Sequence, residues 1–235
     1  MSHRTLLLSL FAAAISLLFT NPALAQSQVH GNVRVGGSSS FSLDEGYSVV
    51  GLPNGLHGLH ASVEFEVLPR LTVGAGFRYG GARGSAWHGD VLGEMNSRLS
   101  AETVDVGLRY FFMDRSWFAP FVHVSGAATF GQLVLAWSNY EPDDCNTSNS
   151  EICALSQRRG TAIVPFAQIG GGAEFLLPRK PRGTQGSESS FGLRVEFGTS
   201  LGGGPGPTPA LRFDQGLGVL SFGFLYLDVG AVAHF

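Results

Sequence analysis

The sequence predicts an all-β chain, an eight-stranded antiparallel up-and-down barrel that crosses a membrane. Three observations carry that prediction. Leu225 to Phe235 alternates without a break, with Leu225, Leu227, Val229, Ala231, Ala233 and Phe235 on one parity and Tyr226, Asp228, Gly230, Val232 and His234 on the other. A strand sends successive side chains to opposite faces, so this segment has one apolar face and one polar or small face. The same period of two recurs from residue 28 onward, between breaks rich in Gly, Ser and Pro. Those breaks alternate between short and long, as in a barrel with turns at one end and loops at the other.

The amino terminus points to export. Met1 to Thr5 carries Arg4, Leu6 to Phe19 is apolar apart from Ser9 and Ser16, and Ala23-Leu24-Ala25 supplies a small-x-small cleavage pattern before Gln26. Residues 1–25 are therefore expected to be a cleaved secretory signal peptide, and 26–235 a single barrel domain. The apolar stretch is short of the roughly 20 residues a membrane helix needs. Gln26 in place of Cys argues against a lipid anchor. Nothing after residue 25 is long and apolar enough to be a transmembrane helix. The net charge of −3 and the single lysine, Lys180, give no case for a nucleic-acid partner. No cofactor is expected.

The strands follow in order. Strand one, about 28–37, sets Val29, Val33 and Val35 against His30, Asn32 and Arg34. Strand two, about 58–68, sets Leu59, Ala61, Val63, Phe65 and Val67 against His60, Ser62, Glu64 and Glu66, and the turn Leu68-Pro69-Arg70 follows. Strand three, about 71–80, has Val73, Ala75, Phe77 and Tyr79 outward and Gly74, Gly76 and Arg78 inward. Strand four, about 99–112, has Val104, Val106, Leu108, Tyr110 and Phe112 outward and Asp105, Gly107 and Arg109 inward. Strand five, about 117–131, turns Val122, Val124, Ala128 and Phe130 outward. Strand six, about 162–177, turns Ala167, Ile169, Ala173 and Phe175 outward and Gln168, Gly170, Gly172 and Glu174 inward. Strand seven, about 190–201, sets Phe191, Leu193, Val195 and Phe197 against Gly192, Arg194, Glu196 and Gly198. Strand eight begins near Leu217 and closes the sheet, which removes both edges.

Gln132 to Gly160 reads as a long loop holding both cysteines, and in an exported chain Cys145 and Cys153 are expected to form a disulfide. Its acidic residues Glu141, Asp143, Asp144 and Glu151 fit no EF-hand spacing and read as a solvated face. Pro178 to Ser189, basic at Arg179, Lys180 and Arg182, reads as a solvated loop, and Gly202 to Pro209 as a proline-stiffened one. Trp117, Phe118, Phe112, Phe175 and Phe235 fall near one set of strand ends, and Tyr79, Phe130 and Trp137 near the other. Two aromatic girdles would fall there. Gly, at 33 residues, concentrates on the inward parity, where a narrow barrel has little room.

The layout resembles the eight-stranded transmembrane domains of OmpA-like and OmpX-like outer-membrane proteins. The run Leu225 to Phe235 and the Gly-containing patterns Trp117 to Gly126 and Phe166 to Phe175 carry the likeness. It implies a cell outer membrane in a Gram-negative cell, periplasmic termini, four exposed loops, and contact with outer-membrane lipid and lipopolysaccharide. Leu227, Val229, Ala231, Ala233 and Phe235 would be the signal read by the barrel-assembly machinery. With nothing after Phe235, no peptidoglycan-binding domain is expected.

Arg34, Glu64, Glu66, Arg78, Asp105, Arg109, Glu174, Arg194, Glu196 and Asp228 share the inward parity. Charges in a narrow interior persist when paired, so they read as a salt-bridged plug in a monomeric, non-enzymatic protein with a structural or surface role. A small or gated, weakly cation-selective porin is the first alternative, and a soluble lipocalin-like carrier the second. His123-Val124-Ser125 resembles the His-x-Ser pair of lipid A 3-O-deacylases, but Gly126 stands where that motif has Asn and the parity turns both residues inward. No catalysis is expected from them.

Overall fold

The computed structural model describes residues 30–42, 46–87, 93–113, 117–137, 157–177, 190–202, 209–213, 217, 219–221 and 225–235. The signal peptide, Cys145 and Cys153, the acidic loop residues and the basic segment around Lys180 lie outside the described residues. The strands are β1 (Gly31–Phe41), β2 (Gly55–Leu68), β3 (Leu71–Trp87), β4 (Glu94–Phe111), β5 (Phe118–Trp137), β6 (Gln157–Leu176), β7 (Ser190–Leu201), β8 (Ala210–Arg212), β9 (Val219–Ser221) and β10 (Leu225–His234). One helical turn, α1 (Gly46–Val49), lies between β1 and β2.

Eight of the strands close into an antiparallel barrel in the order β1-β10-β7-β6-β5-β4-β3-β2. Closure comes from the pairing of β1 with β10, from Asn32 with His234 to Phe41 with Leu225. Gly31 and Phe235 exchange both backbone hydrogen bonds at 3.0 Å and tie the start of β1 to the end of β10. At the same end, β2 passes into β3 through Pro69 and Arg70, and Arg70 takes a left-handed φ of 69°. That end is the turn end, and the opposite end, where α1 and β8–β9 lie, is the loop end.

The strands differ from the sequence expectation at the loop end. The hairpin-forming strands β3, β4, β5 and β6 run for 17, 18, 20 and 20 residues, where a membrane crossing needs roughly 9 to 11. Gln132–Trp137 and Gln157–Gly160, expected in a loop, are paired strand. Strand eight does not begin near Leu217: β10 starts at Leu225, and β9 pairs with β8 as a separate hairpin.

In this upper wall the polarity of the two faces is exchanged. On β4 the inward residues are Asp105 and Arg109 toward the turn end but Met95, Leu99 and Ala101 toward the loop end, all on one parity. Leu133 and Leu135 of β5 and Val164 and Phe166 of β6 continue this apolar lining. Tyr47, Leu52, Leu211, Phe213 and Leu220 fill it from α1, the segment after α1, and the β8–β9 hairpin. Two glycines permit the close approach: a Cβ on Gly84 would collide with the Gly51 carbonyl, and one on Gly131 would meet Leu211 Cδ1 at 2.7 Å. Trp137, expected in a girdle, packs against this core instead, because the wall it stands on is buried from within.

The outside reads in rows. Phe77, Val104, Ala128 and Pro165 form one cross-strand row, and Tyr79, Glu102, Phe130 and Ile163 the row beyond it. Next come Gly81, Ser100, Gln132 and Thr161, then Arg83, Arg98, Val134 and Arg159. Apolar side chains face outward on the turn-end side of the Tyr79 row, where Val35, Val106, Leu108 and Val122 are all exposed. At the turn end Trp117, Phe118 and Phe175 form a chain of ring contacts at 5.7 and 5.4 Å, and Phe65 meets Phe235 at 6.4 Å.

Candidate functional site

The turn-end half of the interior is filled by charge drawn from nearly every barrel strand. Arg34 comes from β1, Glu64 from β2, Arg78 from β3, Asp105 and Arg109 from β4, Glu174 from β6, Arg194 and Glu196 from β7, and Asp228 from β10. The backbone pattern makes room for them. Glu64 is paired with Gly74, Asp105 with Gly76, Glu196 with Gly172, and Arg194 with Gly230, so a bulky inward group is flanked on one side by no side chain.

The pairs form one network that crosses the barrel. Arg194 donates through Nε and Nη2 to Glu174 at 2.9 and 2.6 Å and through Nη1 to Glu64 at 2.6 Å. Glu64 also accepts from Arg109 Nη1, whose Nη2 reaches Glu196 at 2.6 Å. Arg34 Nη1 donates to Glu196 at 2.9 Å, and its Nη2 lies 3.9 Å from Asp228. Arg78 then joins Asp228 at 3.0 Å, Asp105 at 3.2 Å and the Gln168 side-chain carbonyl at 2.9 Å. Glu196 and Asp228 are direct cross-strand neighbours, and two like charges so placed repel unless counter-ions surround them. Arg34, Arg78 and Arg109 do so here.

Aromatic and imidazole groups complete the packing. The guanidinium of Arg109 lies 4.6 Å from the Phe121 ring centre and that of Arg78 lies 5.1 Å from Tyr226. His234 Nε2 sits 2.6 Å from Glu174, and His123 Nε2 lies 2.9 Å from the Tyr226 hydroxyl. Tyr226 and His234 lie on the inward face expected of the last strand, whereas Phe121 was not singled out, although it shares the inward parity of His123 and Ser125. Glu66, at the turn end of β2, pairs with Thr72 and is half-buried, and its backbone N–H donates to the His30 carbonyl.

Among the described residues, the packing is interrupted by a pair of small cavities beside Arg78, each about 30 Å³, enough for a water or two. One is lined by His60, Ser62, Thr72, Arg109 and His123, which contribute polar atoms lacking a protein partner among the described residues, so its walls suit water. The other lies beside Tyr226, Thr103 and Ser200, and Arg78 lines both. Neither volume admits a hydrated ion.

His123 and Ser125 do not form a hydrolytic pair. Both are buried, His123 is bonded to Tyr226, and Ser125 donates to the Gln168 carbonyl at 3.4 Å. They face the interior, where no acyl chain of a surrounding lipid would reach them. Among the described residues no group of His, Cys, Asp and Glu is arranged to hold a metal.

No family model matches the chain, and no curated protein matches it. Solved structures it is similar to include the attachment invasion locus protein Ail of Yersinia pestis, at 13% identity over 89% of this chain and 100% of that one, TM-score 0.48. The outer membrane protein OprG of Pseudomonas aeruginosa is similar at 11% identity over 88% and 96%, TM-score 0.46. Neisserial surface protein A is similar at 8% identity over 88% and 94%, TM-score 0.40. The architecture itself, a closed eight-stranded up-and-down barrel, is the one expected from the resemblance to OmpA-like and OmpX-like barrels.

Proposed function

We propose that this chain is a non-enzymatic outer-membrane protein: a sealed, monomeric barrel that stabilises the membrane and displays its loop end to the outside, with both termini in the periplasm. The observation that carries the reading is the network around Arg78, which joins β3, β4, β6 and β10 across the interior and parts the two cavities. Four arginines against five carboxylates leave this interior close to neutral, as a plug requires and an ion path does not. The apolar belt on the outside supports lipid as its solvent and speaks against a soluble carrier, whose exterior would be polar.

A weakly cation-selective channel is the second reading, favoured by the one excess carboxylate and by the two cavities that meet at a single side chain. Planar-bilayer recording of the refolded barrel separates the two. The plug predicts no steady conductance above background for the native chain, and intermittent openings once Arg78→Ala removes the group between the cavities. Steady cation-selective current from the native chain would overturn the plug.

A further inference from the structure

The outer wall beyond the apolar belt carries a feature that neither the plug nor the core explains. Arg83 of β3 pairs directly with Arg98 of β4, Arg98 with Val134 of β5, and Val134 with Arg159 of β6. The three arginines are exposed on the outward parity. Directly opposed side chains in an antiparallel pair have Cβ atoms about 5 Å apart, and like charges there destabilise the sheet. The bridges described above join residues inside the barrel, and none of them includes any of these three arginines. On β4 the outward acids Glu94 and Glu102 are each four residues from Arg98, roughly 13 Å along the strand.

A groove of about 320 Å³ lies on the same wall. His57, Tyr79, Gly81, Arg83, Arg98 and Ser100 line it. Gly81 leaves its floor open, since it contributes no side chain between Tyr79 and Arg83. The groove thus runs from the last aromatic row of the belt to the arginine row. At a strand tilt near 40°, those four residues rise about 10 Å above the belt, and arginine stems can lean several ångströms back toward it. That is the level of lipid headgroups.

We infer that Arg83, Arg98 and Arg159, with the groove beneath the first two, form a binding site for the phosphorylated headgroup of a lipid in the surrounding outer leaflet. A row of arginines with no acid opposite it among the described residues suits an anion, and the planar fork of a guanidinium matches phosphate with two parallel hydrogen bonds. Tyr79 takes the boundary between acyl chain and headgroup. The inference rests on the membrane reading above.

The test is a titration of the refolded full chain in maltoside micelles with bisphosphorylated lipid A and with the same lipid dephosphorylated, followed by tryptophan fluorescence. The native barrel should bind the phosphorylated form at least tenfold more tightly. The triple variant Arg83→Gln, Arg98→Gln, Arg159→Gln should lose roughly 100-fold, about fivefold for each arginine, and with it the discrimination. The Arg→Lys triple, which keeps the charge but loses the planar fork, should recover only part of the affinity. Equal binding of the two lipids by the native chain overturns the inference, as does unchanged affinity in a glutamine variant that still shows the heat-dependent gel shift of a folded barrel. Displacement of lipid A by millimolar inorganic phosphate also overturns it, because the site would then be one for free phosphate. If the glutamine triple fails to fold, discrimination by the native chain decides. Flotation with vesicles reports the membrane reading separately: a chain that does not float refutes that reading, whereas one that floats without discriminating refutes only the arginine site.

Discussion

In the turn-end half of this barrel Arg34, Arg194 and Glu196 are inside and Val35, Val106 and Phe197 are outside, whereas in the loop-end half Leu99, Leu133 and Val164 are inside and Arg98, Gln132 and Arg159 are outside. The strands pass from one half to the other without changing parity, so every side chain keeps the face it would have had. What changes is the medium. Apolar groups face outward where the surroundings are lipid and inward where they are water, and the charged interior is tolerable only because its members neutralise one another. With the belt in lipid, as proposed above, the exchange of faces marks the edge of the membrane on the wall itself, near Glu102 on β4.

The largest effect should come from removing a hub of the charged half. Arg194→Ala leaves Glu174 and Glu64 without their shared cation in a site closed to solvent, and should destabilise the barrel by about 3 to 5 kcal/mol. In the apolar half, Leu133→Ala opens a cavity of ordinary kind and should cost about 2 to 4 kcal/mol. Urea unfolding of the refolded protein in micelles measures both. A loss below about 1 kcal/mol for Arg194→Ala would mean that water, and not the network, solvates those carboxylates.

The same substitution placed on the two outer walls should separate them next. Val106→Arg puts a charge in the middle of the belt and should cost about 2 to 4 kcal/mol in a lipid bilayer, while Ser100→Arg, two rows beyond the Val104 row, should cost about 0 to 1 kcal/mol. Equal costs would show that the belt does not face lipid.

How much of this was open to reading in the sequence depended on the same exchange. The inward parity of Arg78, Asp105, Arg109 and Glu196 follows from period two once apolar residues are set outward, and the glycines beside them follow from the lack of room. The same rule misreads the upper wall. Met95, Leu99 and Ala101 share their parity with Asp105, so a reading that equates apolar with outward loses its support beyond Thr103 and stops the strand near residue 99, short of its start at Glu94. A change of phase without an inserted residue was the available signal. The partners of the charges were out of reach for another reason: Arg34 and Glu196 are 162 residues apart and meet only through closure of the barrel. The β8–β9 hairpin has strands of 3 residues, too short for any period to show.

The smallest effect distinguishes how rigidly the two halves are filled. A Cβ at Gly198 would strike the Tyr226 hydroxyl and lie 2.5 Å from the Ile169 carbonyl oxygen, and neither can retreat, since Tyr226 is tied to His123 and Ile169 belongs to the neighbouring strand. Gly198→Ala should therefore cost about 1 to 3 kcal/mol through overpacking. At Gly131 the obstacle is the tip of Leu211, a flexible side chain on a two-stranded hairpin that is not part of the barrel. Gly131→Ala should cost less than about 1 kcal/mol, because the hairpin can shift by a few tenths of an ångström. If the two substitutions cost the same in urea unfolding, the loop-end core is packed as tightly as the charged half. The hairpin would then be a fixed wall of the barrel rather than a stopper resting in its mouth.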